Sequence, residues 1–312
     1  MATSLYQTEC VIALRPSWVK AWDFEQALIR CGDALGAAFT SVVIQFPARC
    51  RIWIDVAIRL LSFCNQVVAT NRRLRLEFQG GMDGVLGYLN RMGFFHQLDG
   101  AAEVAPYRPT ISGTPLQRGS NKGLVEIERI EASESAQRDV ILRLGEAVER
   151  GCAARVDVKQ ATYAVKTIFS ELIGNVVEHS DTKLQAFAAL QTYTGGNSLT
   201  IAVSDGGLGL METLRPALAK RNSPLASLSE VDLLVQIFRE GVSRHEDDKR
   251  GTGLKLCASS AIRFQADLDV RLARQRVQLR PGKTSYEPNL AYTQDYLPLL
   301  GGTHIALTLN LT

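Results

Sequence analysis

The longest uncharged run in the chain opens at Leu184 and closes at Asp205. About twenty apolar residues would suffice to cross a membrane. This run is interrupted by Thr194-Gly195-Gly196-Asn197, and Gly and Asn are the residues that supply the positive φ of tight turns. It therefore reads as two strands, Lys183 to Thr192 and Ser198 to Ser204, joined by a turn. The second strand delivers the chain straight into Asp205-Gly206-Gly207-Leu208-Gly209.

Strands and helices alternate elsewhere. Ser41 to Phe46 (SVVIQF) is β-branched and stopped by Pro47, as a strand would be. Arg51 to Ala69 is rich in Ile, Val and Leu, with Asp55 and Arg59 four apart, and reads as a helix carrying one i,i+4 charge pair. Arg73 to Phe78 (RLRLEF) alternates like a strand, and Gly84 to Met92 suggests a further helix. Such a β-α-β-α order pairs its strands in parallel. Leu98 to Lys122 holds three prolines with Gly, Ser and Thr and reads as a linker. It separates a smaller N-terminal α/β domain, residues 1–110, from residues 111–312. Beyond it come a strand at Leu124 to Ile130 and helices at Ser133 to Arg150 and Asp157 to Ser180. A further helix at Glu230 to Glu240, one at Leu254 to Phe264 and a closing strand at Gly302 to Leu311 complete the pattern. The expected class is α/β.

Composition narrows the function classes. The 312 residues carry 35 Lys and Arg against 32 Asp and Glu, a balance that does not suggest a dedicated nucleic-acid binder. The N-terminus lacks the basic and apolar regions of a signal peptide, no membrane span is evident, and a cytoplasmic location is expected. None of the six cysteines stands in a C-x-x-C pair, and the expectation is six reduced, mostly buried thiols. The four histidines are scattered with no metal-binding spacing.

Three motifs in the last 160 residues bear chemistry. Glu171 and Asn175 lie four apart on one helix face. There the carboxylate can take a proton and the amide oxygen can ligate a hard cation. Asp205 follows an apolar strand, where its carboxylate can accept from an exocyclic amine. Gly207 and Gly209 let the backbone approach a flat ring. Arg250, Gly251, Thr252, Gly253 and Leu254 open a helix, whose free N–H groups suit phosphate. Each motif alone has a plainer reading: a solvated polar stripe, a tight turn with an Asx contact, and a glycine-rich N-cap.

Taken in this order, the motifs resemble the GHKL superfamily of ATPases: gyrase-type topoisomerases, the ninety-kilodalton heat-shock chaperone, histidine kinases and mismatch-repair ATPases. The resemblance covers roughly residues 130 to 312. Glu171 and Asn175, with His179 trailing, match the N box; Asp205, Gly207 and Gly209 match the first glycine box; Gly251 and Gly253 match the second. Gly301-Gly302-Thr303 before the last strand also fits. The resemblance implies a two-layer α/β sandwich with helices over one face of a mixed sheet. It implies ATP and Mg²⁺ as ligands, with Glu171 as catalytic base, Asn175 on the metal, Asp205 and Thr303 at adenine, and Gly251 to Gly253 at the phosphates. A long irregular lid is expected at about 210–250.

The kind of GHKL protein is narrowed by what departs from the pattern. His96, the one upstream histidine, is followed by Gln97 and Leu98 rather than an acidic residue, unlike the acceptor of a sensor histidine kinase. The sequence ends with the expected last strand, so the long transducer domain of a gyrase-, chaperone- or mismatch-repair-type protein is not expected. The expectation is an ATP-dependent regulatory switch with hydrolysis, engaging a protein partner, with a homodimer compatible. The alternatives are a protein serine kinase of the anti-sigma-factor type and a nucleotide-gated interaction module without turnover. RLRLEF followed by Gly87 to Phe94 faintly resembles the STAS-like modules that such kinases act on.

Overall fold

The computed structural model describes residues 9–111, 124–179, 184–193, 195, 197–242 and 252–311; side chains 175–179, 252–253 and 256–257 lie outside the description. The chain is α/β, and its sheets and helices stack in alternating layers.

The N-terminal half runs β1 (Glu9–Ala13), β2 (Trp18–Val19), α1 (Ala21–Cys31), β3 (Ser41–Phe46), β4 (Arg51–Ile52), α2 (Ile54–Ala69), β5 (Arg73–Phe78), α3 (Val85–Arg91), α4 (Phe94–Gln97) and β6 (Glu103–Ala105). Strands β1, β3, β5 and β6 form one sheet in that order, every neighbour parallel. The expected parallel pairing of Ser41–Phe46 with Arg73–Phe78 is present, with Val42 opposite Leu74 and Ile44 opposite Leu76. The period of two decides the faces. Cys10, Ile12, Val42, Ile44, Leu74 and Leu76 share a core with the helices, while Glu9, Val11, Arg73 and Arg75 are exposed. Part of the expected linker is therefore structured: β6 extends this sheet, and residues 112–123 lie outside the description.

The C-terminal half runs β7 (Leu124–Ile130), α5 (Glu134–Gly151), α6 (Val158–His179), β8 (Ala186–Tyr193), β9 (Ser198–Ser204), α7 (Leu210–Lys220), α8 (Glu230–Glu240), α9 (Thr252–Arg263), β10 (Asp267–Arg271), β11 (Arg276–Pro281), β12 (Tyr286–Pro288) and β13 (His304–Asn310). Its strands form a seven-stranded sheet of order β12-β11-β10-β13-β9-β8-β7. All pairings among the described residues are antiparallel, in place of the mixed sheet that the resemblance implies. One face packs Leu199, Ile201, Val203, Val270 and Leu307 against Leu144, Val148, Val165, Ile168, Phe169 and Leu172 of α5 and α6.

The other face of this sheet is also covered. Phe187, Ala189, Ala202 and Ala306 point into the core built by the N-terminal half, and their mostly small side chains let α2 lie close to β8 and β9. α2 is thus held between two sheets, and twelve of its sixteen residues are buried. Not all residues of this wide buried surface are apolar. Asp55, Arg59, Ser62 and Gln66 recur at spacings of four, three and four, which is one helix face.

One reading of the sequence is extended here and another is corrected. Arg59 feels the charge of Asp55, its expected i,i+4 neighbour, and also reaches further carboxylates. It is 1% exposed and pairs with Glu25 of α1 at 3.2 Å and Asp269 of β10 at 3.1 Å, since a buried guanidinium needs counter-charges; its Nε has no hydrogen-bond partner among the described residues. The expectation of six reduced thiols fails for Cys10 and Cys31, which form a disulfide tying β1 to the end of α1, with Cα atoms 5.9 Å apart. Cys50, Cys64 and Cys152 are free and buried.

The segment expected as an irregular lid is largely helical. α7, a short 3₁₀ turn at Pro224–Ser227 and α8 occupy it. Met211, Leu214, Leu218, Leu233, Leu234 and Ile237 belong to the main core. Ser229 caps α8 by accepting from the Asp232 N–H at 3.1 Å. Residues 243–250 lie outside the description. No helix among the described residues is long and apolar enough to cross a membrane.

Candidate functional site

Strand direction decides where the motifs meet. β9 runs toward Ser204, and β13, antiparallel to it, starts opposite at His304. Call this the upper end. β10 pairs Arg271 with His304 and Asp267 with Thr308, so it starts at the lower end. α9 finishes just before β10, and Arg155, whose guanidinium contacts both the Asn310 carbonyl and the Phe264 ring, marks the same lower end. α6 begins beside it at Val158 and returns to β8, whose Phe187 faces Ser204 at the upper end. At 1.5 Å per residue, Glu171 stands roughly 20 Å up α6, and α9 spans roughly 18 Å. The upper part of α6, the first turn of α9 and the Asp205 loop therefore gather at one end of the sheet.

Asp205 is 4% exposed. Its Oδ1 accepts from the Gly207 N–H at 2.8 Å, and its own N–H donates to the Thr303 carbonyl at 3.0 Å. Burial raises the Asp205 pKa, opposed by the Gly207 N–H. Gly209 and Gly302 have φ of +87° and +89°, and each lies where a Cβ would meet the other loop's backbone. The Thr303 hydroxyl accepts from the Leu210 N–H at 2.8 Å, which anchors the start of α7.

Glu171 is half-buried on α6. Asn175 lies one turn further along the same helix, and its side chain is outside the description, as is that of His179. Leu254 is buried in the core. Thr252 and Gly253 begin α9, and Arg250 and Gly251 fall outside the described residues. Of the expected set, Glu171, Asp205, Gly207, Gly209, Thr303 and Leu254 can be placed, and the chain brings them to one end.

Four residues that sequence reasoning passed over brace this end from the opposite face. Gln66 of α2 donates to the Gly301 carbonyl at 3.0 Å and accepts from the Gly301 N–H at 2.8 Å. Its neighbour Ser62 accepts from Gln66 at 3.1 Å and abuts Gly206. His304 lies within hydrogen-bond distance of the Gly301 carbonyl through Nε2, at 3.1 Å, and of Ser204 through Nδ1. The carbonyl can only accept, so Nε2 carries the proton and Nδ1 accepts from the Ser204 hydroxyl. Burial, with Arg59 and Arg271 adding to it, holds the His304 pKa well below its ordinary value. The periodic polar stripe on α2 was the signal that could have found Ser62 and Gln66.

Below this brace lies an ionic cluster. Glu25 faces both Arg59 and Arg271, the latter at 3.1 Å, and Asp269 binds Arg59 and Arg276. Burial alone would raise Asp269, but Arg276 and Arg59 hold it below its usual range. No protein-family model, curated protein or solved structure matches the chain.

Proposed function

We propose that the chain binds Mg-ATP at the upper end of the seven-stranded sheet and acts as an ATP-dependent regulatory switch with hydrolysis, in a GHKL-like sandwich. The observation that carries the reading is the buried Asp205 carboxylate, set on a glycine loop beside Thr303. This donor set fits the adenine end of the ligand. The carboxylate is an acceptor in a dry setting, and the Thr303 hydroxyl gives its proton to no acceptor among the described residues. Asp205 would accept from the exocyclic amine, and Thr303 would orient a water beside it.

Glu171 would take a proton from the attacking water or protein hydroxyl. Asn175 would hold Mg²⁺, and the first turn of α9 would face the phosphates with Arg250, Gly251, Thr252 and Gly253. The bound metal would neutralise charge on the phosphate oxygens. The brace from Gln66 to Gly301 supports the switch reading, since it ties the site's backbone to the N-terminal half, where a protein partner would be engaged.

The test is incubation of the purified chain with Mg-ATP labelled at the γ-phosphate. Released phosphate supports the switch with hydrolysis. Label on a protein hydroxyl makes it a serine kinase, and saturable binding without either makes it a nucleotide-gated module. Absence of ATP binding overturns the proposal.

A further inference from the structure

We propose that the Cys10–Cys31 disulfide is a reversible redox latch, opened by an external dithiol, that sets how firmly the N-terminal half holds residues 297–301. The inference stands without the nucleotide reading. The bridge joins β1, an edge strand of its sheet, to the last residue of α1. Cys10 is buried and Cys31 half-buried, so an attacking thiolate approaches from the Cys31 side. Cys50, Cys64 and Cys152 are free and buried, and burial pushes their thiols up, Cys50 to about 12. Such groups carry little thiolate and are poor exchange partners. Cys10 and Cys31 are therefore the redox-addressable pair among these described cysteines.

The position of the bridge gives it leverage. Gly32, with φ of +91°, ends α1 by returning its N–H to the Leu28 and Ile29 carbonyls. One residue on, Asp33 crosses to the C-terminal half. Its carboxylate accepts from the Leu299 N–H at 3.3 Å and pairs with Arg274 at 3.0 Å. Both side chains of that pair are partly exposed, and such an ion pair holds little by itself. The covalent anchor two residues earlier is what fixes Asp33. The backbone that Asp33 grips is also carried by residues 271–274: Leu297 and Leu300 donate to the Arg274 and Ala273 carbonyls, and Pro298 accepts from Arg271. Gly301, clasped by Gln66, follows directly. Within α1, Glu25 is held by Arg59 and Arg271, so the body of the helix stays seated when its end is released. The opening is local.

The exchange balances. A thiolate of the dithiol attacks Sγ of Cys31, the S–S bond breaks, and Cys10 leaves as a thiolate that takes a proton. The second thiol of the reductant then attacks its own sulfur in the mixed disulfide and expels Cys31, which is protonated in turn. Two electrons pass from the dithiol, which departs as a disulfide. A disulfide oxidant runs the sequence backwards.

The full chain is equilibrated in dithiothreitol, then returned to oxidised glutathione. Acid quenching, denaturing alkylation and peptide mass locate the free thiols, and hydrogen exchange reads the backbone. Cys10 and Cys31 should be alkylated together after dithiothreitol and protected together after glutathione. In the reduced protein the amides of Asp33, Leu299 and Leu300 should exchange at least tenfold faster, while those of β9 and of α1 around Glu25 keep their rates. Cys10→Ser/Cys31→Ser should show the reduced pattern in either buffer. Asp33→Ala, with the bridge intact, should bring Leu299 to the reduced rate, and reduction should then add nothing there. Any of four results overturns the proposal: a pair that stays reduced in oxidised glutathione, a bridge that stays closed in dithiothreitol, equal exchange at Leu299 in the two states, or loss of protection throughout the chain on reduction, the mark of a purely structural cross-link.

Discussion

Gln66 and Gly301 exchange a pair of hydrogen bonds, amide to carbonyl and amide N–H to amide oxygen, across the boundary between the two halves of the chain. The side chain mimics a strand neighbour for the backbone that leads into Thr303. Gln66→Leu keeps the volume and leaves the Gly301 N–H unpaired. The expected cost is about 1–3 kcal/mol, read as a lower denaturant midpoint at unchanged slope. ATP affinity should fall as well, because the Asp205 N–H is held by the next turn of the same loop.

Gly302→Ala tests the loop directly. The added methyl would run into the Asp205 carbonyl oxygen in a backbone with φ of +89°, a region that disfavours side chains. Loss of at least about 1–3 kcal/mol is expected. Gly174→Ala, where nothing lies within 4 Å of the new methyl, should be neutral or slightly stabilising through helix propensity. Chemical denaturation of the two variants side by side makes the comparison.

Acid should loosen the fold through His304. Its folded pKa lies well below the unfolded value of about 6.5, so below that pH the unfolded chain binds the extra proton. Stability then falls as pH drops, by up to about 1.4 kcal/mol per pH unit for this one group. The contribution of Asp269 is complete above about pH 4 and is lost only as pH falls through its depressed folded value. Asp205 and Asp55, both raised by burial, act in the opposite sense over the acidic range. The difference in unfolding free energy between wild type and His304→Gln, followed from pH 8 to 5, isolates the histidine; it should stay level above about pH 7 and shrink as pH falls below about 6.5.

Arg59→Ala would strand Glu25 and Asp269 on the inner face of α2. Breaking a buried pair costs about 3–5 kcal/mol, and Arg271 and Arg276 offset only part of it. Thermal unfolding should drop steeply, and Arg59→Lys, which lacks the fork, should recover a fraction.

Glu171→Ala should keep Mg-ATP binding and lower turnover by roughly 10²-fold, the usual worth of a general base. Asp205→Asn should instead weaken ATP by about tenfold or more relative to GTP while leaving the circular dichroism unchanged. Equal nucleotide affinities in the wild type would remove Asp205 from adenine recognition.

Elements with a clean local period could be read from the sequence to the residue. Ser41–Phe46, Arg73–Phe78, Leu124–Ile130, Ser198–Ser204 and Glu230–Glu240 begin and end where alternation, helical spacing or a cap says they should. β10 and β11 were missed although Asp267–Arg271 and Arg276–Pro281 alternate. Their charged residues look solvent-facing in sequence, and the buried ionic cluster that accepts them is assembled from α1 and α2, more than two hundred residues away. The same distance hid the brace at Gly301. Periodicity reports which face of an element is apolar; it does not report that a polar face is buried. α7 was lost for another reason: Pro216 sits inside it and masks a helix whose Met211, Leu214 and Leu218 spacing is regular. The Asp205 loop was legible because its chemistry is local, one strand end and its glycines.

The polar stripe on α2 works like the cuts on a key. Asp55, Arg59, Ser62 and Gln66 occupy successive turns, and Arg59, Ser62 and Gln66 meet different features of the seven-stranded sheet: an aspartate, a glycine bend and a backbone amide. Shifting α2 along its axis by one turn, about 5.4 Å, mismatches all three at once, and smaller slips leave charges facing alkyl groups. Graded sliding between the halves is therefore closed off. Any signal that passes between them must travel either as a change within one seated arrangement or as complete withdrawal of the helix.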